Sequence, residues 1–215
     1  MKRFFALFLL LIMTACCTAQ NVRDDSAFEI ISRITYQDET KTTRFLFGSG
    51  TAVESDATET IILTANHVVP QIEDADVGII LINMNSEMPA LGTIKIRDEK
   101  FDLALIRIET PDLPTTRFIS SPTFEEDLHA SCFLQESSGV TLTGKFIGKT
   151  TGQNHPDWLL FSLNAREGAS GAGILDEQNH LVSVVTNFVA FPNGFTCNAG
   201  PPTLSLIDFL AANLN

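Results

Sequence analysis

The chain has 215 residues, 44% hydrophobic and 19% charged, with a formal net charge of −12. That balance excludes a disordered chain and a low-complexity polymer, and the length suits one domain or one all-β double-barrel unit. The 14 Lys and Arg form no cluster against 26 Asp and Glu, so nucleic acid, whose phosphates call for clustered cations, is not an expected partner.

Lys2 and Arg3 form a short cationic segment, followed by ten apolar residues, Phe4 to Met13. Ten helical residues span about 15 Å, half of a hydrocarbon core, so this is the pattern of a signal peptide over residues 1–15 rather than a membrane span. No later stretch approaches 18 apolar residues. Two cleavage readings stand side by side. Met13-Thr14-Ala15-Cys16 resembles a bacterial lipobox, with Cys16 as the lipidated residue. The rival is ordinary cleavage after Ala19. The lipoprotein is favoured, because an exported chain seldom keeps loose thiols. Residues 16–26 then read as anchor and linker, and the fold as residues 27–215. The protein is expected in the cell envelope, touching membrane only through that lipid, or secreted. Export implies an oxidising compartment, so Cys132 and Cys197 are either one disulfide or two buried thiols. No C-x-x-C or metal-type Cys/His spacing occurs, and neither metal nor cofactor is expected.

The body reads as short β-branched or aromatic segments bounded by turn residues. In chain order these are Phe45–Val53, Ile61–Ala65, Val77–Asn83, Thr93–Arg97, Leu103–Ile108, Ser131–Leu134, Val140–Lys149, Trp158–Leu163, Gly173–Leu175 and Leu181–Phe188. Their spacing predicts an all-β sandwich or barrel. Only the end has helical period: Leu204, Ile207, Leu210, Ala211 and Leu214 fall on one helix face.

Three motifs carry chemistry. Thr64-Ala65-Asn66-His67 follows the apolar run Ile61-Ile62-Leu63, so a strand delivers an imidazole at its end. Phe101-Asp102 heads the alternating strand Leu103–Ile108. A carboxylate at the start of a buried strand needs a hydrogen-bond partner, and an imidazole N–H is one. Gly168-Ala169-Ser170-Gly171-Ala172-Gly173 crowds glycines around one hydroxyl, the backbone freedom needed to aim several N–H groups at one point.

Each motif alone is ordinary; their conjunction in the order His67, Asp102, Ser170 is not. The chain resembles the chymotrypsin-fold, trypsin-like serine proteases, with small exported HtrA-type peptidases nearest in flavour. The order separates it from α/β-hydrolases and subtilisins. The resemblance implies two antiparallel six-stranded β-barrels with a boundary near residues 110–128, plus the C-terminal helix. It implies Ser170 as nucleophile, His67 as general base and Asp102 as the orienting carboxylate. The N–H groups of Gly168 and Ser170 correspond to the oxyanion hole. Pocket walls correspond to Asn164, Ala165, Arg166 and Glu167 on one side and Thr186, Asn187 and Phe188 on the other, with Thr186–Phe188 pairing substrate as an added strand.

The departures are informative. Ala169 stands where digestive relatives carry an Asp that pairs with a freshly cut N-terminus, so activation by propeptide cleavage is not expected. Val68 replaces a Cys that commonly follows the His. Asn164 stands where trypsins carry Asp, and Val185 where Glu-specific relatives carry His. A small or medium apolar residue is therefore the expected P1, the residue before the cut bond.

Other motifs are set aside. Gly144–Thr150 looks like a P-loop but has the wrong spacing and no helix after it. His129, His155 and His180 share no ligand spacing and read as loop residues. The acidic run Glu54–Thr60 reads as a hairpin loop, and Ser49 as a tight turn opposite the site. The functional expectation is a serine endopeptidase acting on protein or peptide. A catalytically inactive binding lipoprotein on the same fold is the alternative, and an acyl hydrolase using the same residues ranks third. The chain ends shortly after the tail helix, so an appended peptide-binding PDZ domain is not expected.

Overall fold

The computed structural model describes residues 25–38, 41–85, 88–118, 121–134, 139–150 and 157–214. The expectations for Cys16, Cys17, His155 and the signal segment lie outside these residues.

The first six strands are β1 (Ala27–Tyr36), β2 (Thr43–Ser55), β3 (Thr60–Ala65), β4 (Ala75–Asn83), β5 (Pro89–Asp98) and β6 (Leu103–Ile108). They close into a barrel in the order β1-β2-β3-β6-β5-β4. Closure removes sheet edges, and it puts Phe28, Ile30, Ile62, Leu81 and Ile106 into one interior. Strands β3 and β6 pair in register from Thr60↔Ile108 to Ala65↔Leu103. That register brings the end of β3 beside the start of β6.

The second unit comprises β7 (Arg117–Phe118), β8 (Asp127–Cys132), β9 (Val140–Lys149), β10 (Leu159–Phe161), β11 (Gly173–Leu175), β12 (His180–Val184), β13 (Asn187–Ala190) and β14 (Thr196–Gly200). They form one curled sheet in the order β13-β14-β10-β9-β8-β11-β12-β7. Among the described residues this half-barrel carries eight strands rather than six, and with the closed ring it makes the chymotrypsin-like double barrel. Its core is built by Leu128, Phe146, Leu159, Phe161, Ile174 and Val182. Among the described residues strand β13 pairs only with β14, which leaves its other edge open.

A third apolar cluster locks the units together. Leu63, Leu103 and Leu105 of the first barrel meet Leu175, Leu181 and Val184 of the second, with Leu206, Phe209 and Leu210 of helix α1 (Thr203–Asn213). The helix face differs from the one expected. Thr203, Leu206, Phe209 and Leu210 are buried while Leu204 is 65% exposed. Six of residues 203–211 are apolar and span a wide arc of the helix, so periodicity fits neighbouring stripes almost equally. The Thr203 hydroxyl decides between them by donating to Val182 O at 2.7 Å, which turns that side toward the sheet.

The run Leu181–Phe188 is two strands, β12 and β13, because Thr186 leaves the first and donates its N–H to Ala199 O at 3.1 Å. Cys132 and Cys197 are buried free thiols in separate clusters, not a disulfide. Desolvation pushes Cys132 up to about 12 and raises Cys197 as well. His129 and His180 lie in strands β8 and β12 rather than in loops.

Candidate active site

Strand β3 ends in a short 3-10 turn, Asn66–Val68, which lifts His67 to the rim of the first barrel. Asp102 sits in the turn before β6 with φ of +54°, a left-handed conformation that Asp tolerates better than most side chains. Three hydrogen bonds tie the two segments. Asn66 N–H donates to Asp102 O at 2.9 Å, and His67 N–H donates to Asp102 Oδ1 at 3.0 Å. His67 Nδ1 meets Asp102 Oδ2 at 2.6 Å. A carboxylate oxygen accepts only, so the proton belongs on Nδ1 and Nε2 is left as the basic nitrogen. The His67 side chain is 48% exposed and Asp102 23%, so the pair faces the cleft rather than the core.

The scaffold under His67 is also polar. Arg97 donates to Asn66 Oδ1 at 2.7 Å, and the Ser32 hydroxyl donates to Val68 O at 2.7 Å. Partial burial lowers Arg97 from its ordinary range, with Glu99 opposing that shift.

Ser170 comes from the opposite unit, on the turn between Glu167 and β11. Gly168 and Gly171 have φ of +93° and +90°, the left-handed region that favours glycine. Gly171 has no room for a side chain: a Cβ there would lie 2.1 Å from Ser49 O. The turn is stitched inward by Ala169 N–H to Arg166 O, Gly171 N–H to Val185 O and Ala172 N–H to Ala169 O. By contrast, among the described residues neither Gly168 N–H nor Ser170 N–H donates to a protein acceptor. Both N–H groups are thus left available to an acceptor from outside the chain.

Ser49 is a correction. It lies within β2, fully buried, not in a tight turn. Its hydroxyl donates to Gly168 O at 2.7 Å and accepts Phe133 N–H at 2.9 Å, while its own N–H donates to Ser170 O at 2.7 Å. Thr51 Oγ1 accepts Gly173 N–H at 2.8 Å. The first barrel therefore holds the Ser170 turn from beneath. The sequence offered Gly48-Ser49-Gly50 as a signal, but reading it as a bridge requires knowing which turn lies across the cleft.

A cavity of about 400 Å³ opens beside Ser170, lined by Ala165, Arg166, Glu167, Val185, Thr186, Asn187, Phe188 and Asn198. Thr186 and Asn187 also line the adjoining recess beside His67 and Asp102, with Glu99, Lys100 and Trp158. The two recesses meet at Thr186 and Asn187. His67 and Asp102 are in direct contact; among the described residues no hydrogen bond joins Ser170 Oγ to His67. Of the residues expected in the pocket, all line it except Asn164, which is exposed with φ of +52°. Asn198 of β14 lines it instead, a residue to which sequence reasoning assigned no role. Nothing local in Thr196–Gly200 marks it; the β13–β14 register, Phe188↔Asn198, brings it there. Among the described residues no cluster of His, Cys, Asp and Glu could hold a metal ion.

Comparison with known proteins agrees with this architecture. The model of the trypsin-like peptidase domain matches residues 48–184. The chain belongs to that family and is a chymotrypsin-fold serine protease by class. A serine endoprotease from Yersinia pestis is similar in structure, with a TM-score of 0.68 and 18% identity. The alignment covers 88% of this chain and 63% of that one, so the chain spans less than two thirds of that protein's length. No curated protein matches.

Proposed function

We propose that the protein is a serine endopeptidase in which His67, Asp102 and Ser170 act together. The observation that carries this reading is the His67–Asp102 pair at 2.6 Å on a cleft shared with a glycine turn whose Gly168 and Ser170 N–H groups are unengaged. Ser170 Oγ attacks the scissile carbonyl carbon as its proton passes to His67 Nε2. The carbonyl oxygen becomes an oxyanion received by the two N–H donors. Collapse breaks the C–N bond, His67 returns the proton to the departing amine, and an acyl ester remains on Ser170. Water, deprotonated by the same Nε2, then hydrolyses the ester. Asp102 holds the tautomer and stabilises the imidazolium. Ser170 and His67 close to hydrogen-bond distance when substrate fills the cleft, as the catalytic contacts of empty sites commonly do.

Substrate lies extended along β13, whose open edge offers main-chain donors and acceptors. The mature chain works outside the cytoplasm, tethered through Cys16; this rests on the N-terminal sequence pattern. A binding protein without activity is the second reading, favoured because among the described residues no hydrogen bond joins Ser170 Oγ to His67. A fluorophosphonate probe separates the two. Labelling that disappears in Ser170→Ala supports the peptidase; a folded wild-type protein that takes no label supports the binder. Casein digestion then separates peptidase from esterase.

A further inference from the structure

Asn198 is 3% exposed and lies on the wall of the cavity beside Ser170. Ala165 N–H donates to its side chain at 3.0 Å. A donor must meet an acceptor, which assigns the contacting atom as Oδ1 and leaves the amide –NH2 as the other end. Among the described residues no protein acceptor bonds that Nδ2. It is not sealed in packing either, since Thr116 Oγ1 is the one completely enclosed side-chain polar atom there without a partner. That –NH2 is therefore not fully enclosed, and Asn198 is one of the residues that line the cavity.

We infer that Asn198 selects the P1 residue, and that the cavity takes an uncharged P1 side chain ending in a hydrogen-bond acceptor, with the carboxamides of Gln and Asn as the best fit. The inference rests on the peptidase reading above and adds the substrate class. The remaining walls exclude the other classes. Ala165, Val185 and Phe188 supply apolar contact along the stem. Arg166 and Glu167 at the exposed rim carry opposite charges, so the pocket has no net charge to offset desolvation of a Lys, Arg or Glu side chain. An aliphatic P1 would cover the Asn198 –NH2 and leave it without a partner, the situation by which polar pockets reject apolar isosteres. A carboxamide oxygen accepts from that –NH2.

The test uses the full chain with fluorogenic peptides that differ only at P1: Gln, Asn, Leu, Met, Lys and Glu. Active sites are counted in parallel with the fluorophosphonate probe. The expected result is kcat/KM at least about 10-fold higher for Gln or Asn than for Leu or Met. Asn198→Asp keeps an oxygen for Ala165 N–H and replaces the –NH2 with a second oxygen; it should lose the carboxamide preference and gain on Lys while still taking the probe. Equal or better cleavage of Leu and Met by labelled wild-type protein overturns this inference alone. A folded wild-type protein that neither labels nor cleaves overturns the peptidase reading and this one with it. Should Asn198→Asp fail to fold, the wild-type panel still decides.

Discussion

Removing one hydroxyl beneath the cleft should cost both stability and reactivity. Ser49 is fully buried, and its Oγ engages Gly168 O at 2.7 Å and Phe133 N–H at 2.9 Å. Ser49→Ala leaves one acceptor and one donor unpaired. Each such buried group costs about 1–3 kcal/mol, so the variant should lose about 3 kcal/mol. With a urea dependence of about 2–3 kcal/mol/M for a domain of this size, the midpoint should fall by about 1–1.5 M. The single Trp, Trp158, is 3% exposed in the second unit and reports the transition. The freed Gly168 carbonyl also loosens the turn that presents Ser170, so fluorophosphonate labelling of the folded variant should slow. A midpoint within about 0.3 M of wild type with unchanged labelling would refute the claim that Ser49 bridges the two units.

Three further outcomes follow from the same structure. Gly171→Ala places a Cβ 2.1 Å from Ser49 O at φ of +90° and should destabilise by more than about 4 kcal/mol, read as loss of soluble folded protein or collapse of the thermal midpoint. Asp102→Asn keeps the left-handed turn but donates or accepts wrongly toward His67 Nδ1; labelling of Ser170 should slow by about 10³-fold or more with an unchanged melting curve. Cys132, raised by burial from its ordinary 9.0 to about 12, should resist iodoacetamide at pH 8 in the folded protein and react in urea. Because the unfolded thiol ionises first, stability should fall as pH rises from about 9 toward 12, a slope that Cys132→Ala should reduce.

Much of the site was legible because it sits where strand signals are strong. The apolar run before His67 and the alternation after Asp102 define β3 and β6, and their antiparallel pairing does the rest. Ser170 announced itself through the surrounding glycines. What stayed hidden depends on contacts distant in sequence. Ser49 and Gly168 are 119 residues apart, and no local pattern foretells that meeting. Asn198 enters the cavity through a hairpin register, and Asn164 leaves it through a positive φ. Strand β14, Thr196-Cys197-Asn198-Ala199-Gly200, has little β-branched character and exists because β10 and β13 flank it. The helix face went astray for the opposite reason, an excess of apolar residues rather than a lack of signal.

The unpaired margin of β13 has a consequence for the targets of such a peptidase. Main-chain pairing there demands a partner that can be pulled straight. Helices and interior strands of a native protein already spend those amides on themselves, so a well-folded target is protected whatever residue precedes the bond. Tails, linkers and damaged or unfinished chains are not. Conformational looseness in the target would then decide which bonds are open to cutting at all, before the residue at P1 is read.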